Sequence, residues 1–130
     1  IEYLVRMIKD NKYDKNLIPE SSNILIYILS KYNKYLSEDI LYDIIEVNKD
    51  ALLDTEVELL DTPLHIAIAY GRSDLYPALI DTEKAVLSMT NSAGETPLDK
   101  AMAFCFFDSI ELLCEKNTNK NCLNFFETII

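Results

Sequence analysis

Asp61 to Gly71 reads DTPLHIAIAYG, and Glu95 to Cys105, 34 residues further on, reads ETPLDKAMAFC. Sliding the chain by that distance lays Lys49–Ala69 over Glu83–Ala103 without a gap. Ala51 meets Ala85, and Leu53 meets Leu87. Thr62-Pro63-Leu64 meets Thr96-Pro97-Leu98, Ala67 meets Ala101, and Ala69 meets Ala103. The register extends backwards, with Leu41 and Tyr42 falling on Leu75 and Tyr76. Ungapped self-similarity marks an internal repeat, and a period of about 20–50 residues marks an array of supersecondary units.

One unit can be read residue by residue. Thr62 is a good helix N-cap, and Pro63 at the first helical position gives up only an N–H that would be orphaned anyway. Leu64, Ala67 and Ile68 then fall on one narrow apolar face, with small alanine for close approach. Gly71 can take the left-handed conformation that ends a helix. Ser73 is expected to cap a second helix, whose Leu75, Ala78 and Leu79 turn to the same core. The second unit repeats the scheme: Thr96 caps, Pro97 starts, and Leu98, Ala101 and Met102 pack. Ile110, Leu112 and Leu113 line its second helix. Each unit is a pair of short antiparallel helices that cannot bury both faces alone. Only two glycines occur in 130 residues, which also favours packed helices over a strand-and-turn fold.

The flanks read as further helices. Ile1, Leu4, Val5 and Ile8 form a helical stripe. Ser21 or Ser22 is expected to cap a helix carrying Ile24, Leu25, Ile28, Leu29 and Tyr32, and Ser37 one carrying Ile40, Leu41, Ile44 and Ile45. These last two form a divergent unit under the first clear repeat. Leu123–Ile130 is expected to be a terminal helix covering the last one. The domain then divides into divergent helices over 1–48, two recognisable repeats over 49–115 and a C-terminal cap over 116–130. The chain opens at Ile1 without a methionine or a signal-peptide layout, so it reads as part of a longer protein.

Several functions are excluded by pattern. The chain has no phosphate-binding loop, glycine-rich nucleotide fingerprint, zinc spacing or nucleophile elbow, so no metal, cofactor or catalytic residue is expected. Cys105, Cys114 and Cys122 are odd in number and unpaired in spacing, which reads as reduced thiols of a cytoplasmic protein. No apolar run reaches the roughly 18 residues that cross a membrane. The net charge of −10 without a basic stripe argues against nucleic acid. That charge is concentrated: residues 37–115 hold seventeen acids against four bases, whereas 1–36 hold four against six. Asp50, Asp54, Glu56, Glu58 and Asp61 share one short stretch with no base. It reads either as a solvating face or as a negative finger for a partner with a basic segment.

DTPLHIAIAYGRSDLYPALI and ETPLDKAMAFCFFDSIELLC resemble ankyrin repeats, whose period is about 33 and whose signature is T-P-L-H-x-A. Thr62, Pro63, Leu64, His65, Ala67 and Gly71 carry that signature in one unit; Gly94, Thr96, Pro97, Leu98 and Ala101 carry it in the next. Departures are the spacing of 34, Leu60 in the place of Gly94, Cys105 in the place of Gly71, and Asp99 in the place of His65. The resemblance implies an all-α, ankyrin-like helical solenoid that binds another protein, without catalysis. It also implies that His65, the only histidine, ties neighbouring repeats through backbone groups. A catalytic His65 would need a nucleophile and an orienting acid, and Thr62 is better used as a cap. By the same resemblance, hairpin tips and the ends of first helices form the contact face. Here those are Glu56, Glu58, Leu59, Asp61, Ser92, Ala93 and Glu95 on the hairpins, with Ala69, Tyr70, Ala103 and Phe104 on the helices. Tyr70 and Phe104 are expected side by side. The rival reading is a regulatory or substrate-recruiting domain of a larger enzyme.

Overall fold

The computed structural model describes Arg6, residues 23–82 and residues 84–116. The expected helix at Ile1–Ile8, the caps Ser21 and Ser22, Cys122 and the terminal segment Leu123–Ile130 lie outside them. Over residues 24–116 the described chain forms six α-helices: α1 (Ile24–Tyr32), α2 (Glu38–Val47), α3 (Pro63–Ala69), α4 (Tyr76–Leu79), α5 (Pro97–Ala103) and α6 (Phe107–Lys116). Single 3₁₀ turns at Lys49–Ala51, Ser73–Leu75 and Ala85–Ser88 join them, and no strand occurs among the described residues. None of these helices is long and apolar enough to cross a membrane.

The caps explain where helices begin. Ser37 Oγ accepts from Ile40 N–H at 3.4 Å, and Glu38 and Asp39 sit in the favourable first turn. At α1 the cap is Asn23, whose Oδ1 accepts from Ile26 N–H at 2.7 Å. It stands next to the first apolar residue and so supersedes the expected serines. Ser73 does not cap a helix either. It opens the 3₁₀ turn, and α4 starts only at Tyr76. Pro77 has no N–H to donate to the Ser73 carbonyl, so the α-helical ladder does not run back to Ser73, and extended backbone at Ile80 ends α4 after one turn.

The helices form two layers. α1, α3 and α5, the first helices of successive units, pack side by side. α2 packs on α4 and its 3₁₀ lead-in, and α6 closes on α5. Between the layers lies one apolar core, with Leu25, Ile28, Leu41, Ile44, Leu64, Ile68, Leu75, Leu79, Ile110 and Leu113 at 1% exposure or less. Burying each such side chain contributes about 1.5–3 kcal/mol. Ile40, Ala78, Met102 and Leu112 are only half-buried at its margin. The helices over 24–47 therefore form a unit of the same kind, stacked under the first recognisable repeat.

The two missing glycines do not change the backbone. Leu60 and Cys105 both hold φ at +56°, in the left-handed region that Gly94 (φ +76°) and Gly71 (φ +69°) occupy at the equivalent positions. Both residues, which disfavour this conformation, are held by backbone hydrogen bonds: Leu60 N–H to the Glu56 carbonyl at 3.0 Å and Cys105 N–H to the Met102 carbonyl at 3.1 Å.

Candidate functional site: the edge of hairpins and first-helix ends

Thr62 and His65 form a capping box. Thr62 Oγ1 accepts from His65 N–H at 3.3 Å, and Thr62 N–H donates to His65 Nδ1 at 3.2 Å. The Thr62 hydroxyl also lies 2.7 Å from Nδ1. The other ring nitrogen reaches into the next unit, where Nε2 lies 2.9 Å from the Glu95 carbonyl. A carbonyl only accepts, so Nε2 carries the proton and Nδ1 is the acceptor. Burial pushes the imidazole below its ordinary pKa, against the pull of the Glu95 carbonyl and Asp61. A protonated ring would also set Nδ1–H against the Thr62 N–H. His65 is thus a neutral strut between repeats, and the Thr62 hydroxyl beside it is fully buried and held as the helix cap. Asp99 makes the same local box with Thr96, at 3.1 and 3.2 Å.

Two loops project ahead of α3 and α5. The first is closed by Glu56 N–H to Asp61 carbonyl at 2.9 Å, the second by Asn91 N–H to Glu95 carbonyl at 3.0 Å. Their tips are joined by Ser92 N–H donating to the Leu59 carbonyl at 2.9 Å. Glu56 turns its Oε1 back to the N–H groups of Glu58 and Leu59, at 2.5 and 2.6 Å. In the second loop Asn91 Oδ1 does the same for Ala93 and Glu95, each at 3.0 Å.

Asp61 corrects the expected acidic finger. It is 5% exposed. Its carboxylate accepts from Asn91 Nδ2 and from Lys100 Nζ, both at 2.9 Å. It therefore binds the next unit and is not offered to a partner. Asp54 is tied to Asn23 Nδ2 at 3.1 Å, and Glu95 Oε1 to Asn91 Nδ2 at 3.1 Å. Of the hairpin residues expected at a contact face, Glu58, Leu59, Ser92 and Ala93 are exposed, while Glu56 and Glu95 are half-buried.

At the other end of the first helices, Tyr70 is 46% and Phe104 47% exposed. They stand at equivalent positions but have separate partners. The Tyr70 hydroxyl donates to the Ser30 carbonyl at 3.2 Å, whereas Phe104 stacks on Phe106 with ring centroids 5.3 Å apart. Ala69 is half-buried and Ala103 exposed.

Three ties were not singled out from sequence. Arg72 chelates Asp74 through Nε and Nη2 at 3.0 and 2.9 Å, and Nη1 donates to the Asn33 carbonyl at 2.6 Å. Tyr42 donates to the Asp74 carbonyl at 2.7 Å, and Tyr76 shares a buried 2.7 Å hydrogen bond with Ser109. Tyr42 and Tyr76 are 34 residues apart, so the repeat register itself was the available signal. The Asp61–Lys100 pair carries no such signal.

On the opposite face, a groove of about 370 Å³ lies between α2 and the short α4. Charged groups lining it are engaged, Lys49 with Glu46 at 3.2 Å and Asp81 with the N–H groups of Ala85 and Val86. No cluster of three metal-binding side chains occurs among the described residues.

No curated protein and no solved structure matched the chain significantly. The family model for ankyrin repeats in three copies matches residues 25–124. That span covers the divergent unit over α1 and α2 as well as the two clear repeats, so the chain belongs to the ankyrin-repeat family.

Proposed function

We propose that the chain is a non-catalytic protein-binding module, as ankyrin repeats generally are. Its contact surface runs from the hairpin tips at Glu58, Leu59, Ser92 and Ala93 to Ala69, Tyr70, Ala103 and Phe104. The observation that carries this is the pair of half-exposed aromatics, Tyr70 and Phe104, at matching positions of two repeats. The core is filled without them, and large aromatic side chains are the usual carriers of affinity at protein interfaces. The acidic balance of residues 37–115 favours a partner with basic residues and disfavours nucleic acid. A cytoplasmic setting fits the exposed thiol of Cys105.

Affinity capture from a lysate of the source cell, followed by mass spectrometry, tests the reading. A specific protein should be retained by the wild-type chain at about 50 mM salt, released progressively towards about 300 mM, and lost from a Tyr70→Ala/Phe104→Ala bait. A partner that binds both baits equally would remove the aromatic edge from the contact surface.

A further inference from the structure

The first hairpin carries an apolar feature that neither the core nor the repeat signature explains. Nine large apolar side chains are exposed among the described residues, and four of them, Leu53, Val57, Leu59 and Leu60, fall within eight residues. Val57 and Leu59 are 60% and 56% exposed. Leu60 occupies the left-handed conformation that the next hairpin gives to Gly94. A leucine there exposes apolar surface and opposes its own backbone preference, so it serves neither solubility nor local stability. The loop is nonetheless fixed, by Glu56 within it and by the Ser92 bond to Leu59 from the neighbouring tip. Preorganisation of this kind lowers the ordering cost of binding. In the same stretch of sequence stand the exposed acids Asp50, Asp54 and Glu58, with no base between Asp50 and Asp61.

We infer that this hairpin is a docking site for a partner segment that is both apolar and basic. Its large aliphatic side chains cover Leu53, Val57, Leu59 and Leu60, and its lysines or arginines meet Asp50 and Glu58. The apolar contacts set the lifetime of the complex, and the acids accelerate encounter and select the charge of the partner. An acidic or neutral apolar segment would leave these carboxylates facing like charge or unpaired. The inference rests on the protein-binding reading above and names the partner's chemistry at one hairpin.

The test uses three short labelled peptides against the whole chain: an amphipathic leucine–lysine peptide, the same peptide with glutamate for lysine, and the same with serine for leucine. The leucine–lysine peptide should bind at least about tenfold more tightly than either control. Val57→Ser/Leu59→Ser should weaken it by at least about tenfold with an unchanged melting temperature, because both side chains are exposed. Leu60→Gly should weaken it too, without loss of fold. Equal binding of the serine–lysine peptide would reduce the site to charge alone, and equal binding of the glutamate peptide would remove the charge selection; either overturns the proposal. An unaffected double variant would place the site elsewhere and overturn it as well. So would sedimentation showing a dimer that Val57→Ser/Leu59→Ser dissolves, since the patch would then be covered by a second copy. Peptide affinity is read at the hairpin with Val57→Ser/Leu59→Ser and partner capture at the aromatic edge with Tyr70→Ala/Phe104→Ala, so failure of the one reading and of the other are separable.

Discussion

His65 concentrates the repeat's logic in one side chain: a cap for its own helix and a strut to the next unit. Its depressed pKa has a direct consequence. Below the ordinary value of 6.5 the unfolded chain takes up a proton that the folded chain refuses. Its contribution to stability is therefore complete above 6.5 and is lost as pH falls towards the folded-state pKa. Urea unfolding between about pH 7.5 and 5.5 should show this decline, and His65→Asn should flatten it while costing about 1–3 kcal/mol at neutral pH. Cys105 makes a second case. Its side chain is exposed and its φ is +56°, so Cys105→Gly should relieve backbone strain and stabilise the protein by up to about 1 kcal/mol. Gly71→Ala should cost a similar amount, although a β-carbon there meets nothing within 4 Å. Opposite signs in thermal melting at the two equivalent positions are the expected outcome. The sequence showed that glycine was missing at 60 and 105; it could not show that the fold would hold the left-handed geometry regardless.

Between elements, what was legible depended on whether the contact obeys the period. Thr62, Pro63, Thr96 and Pro97 act within three residues of themselves, so helix starts at α3 and α5 could be placed closely. The α4 boundary could not, because Pro77 acts against a serine that otherwise looks like a cap. The acidic stretch was misjudged at Asp61 for a similar reason. Its partner Lys100 lies 39 residues away, and composition alone cannot distinguish a buried carboxylate from a solvated one. The side chains of Asp61 and Lys100 are 7% and 12% exposed. Lys100→Met should thus leave a buried carboxylate without its cation and cost about 3–5 kcal/mol. Adding Asp61→Asn should restore much of that loss, since the amide oxygen can still accept from Asn91. Denaturant midpoints of the single and double variants read this directly, and an additive pair of losses would deny the coupling.

At the scale of the molecule, three units are joined by neighbouring contacts: Arg72 and Tyr42 between the first and second, and His65, Asp61, Tyr76 and Ser92 between the second and third. The all-α repeat was readable because the period repeats its caps and its small residues. The partner-facing surface was readable only as an expectation, since exposure is set by tertiary packing. In such a molecule the residues that hold the stack and the residues that meet a partner are different sets. Tyr70 and Phe104, each a little under half exposed, are where this division can be measured most directly. The decisive measurement is the Tyr70→Ala/Phe104→Ala variant, with melting and affinity for the captured partner determined on the same preparation. The expected result is a melting shift of a few degrees with binding weakened by about 2 kcal/mol or more. A loss of stability of about 2–5 kcal/mol, as for truncation of a core leucine, with affinity unchanged in the folded fraction, would contradict it.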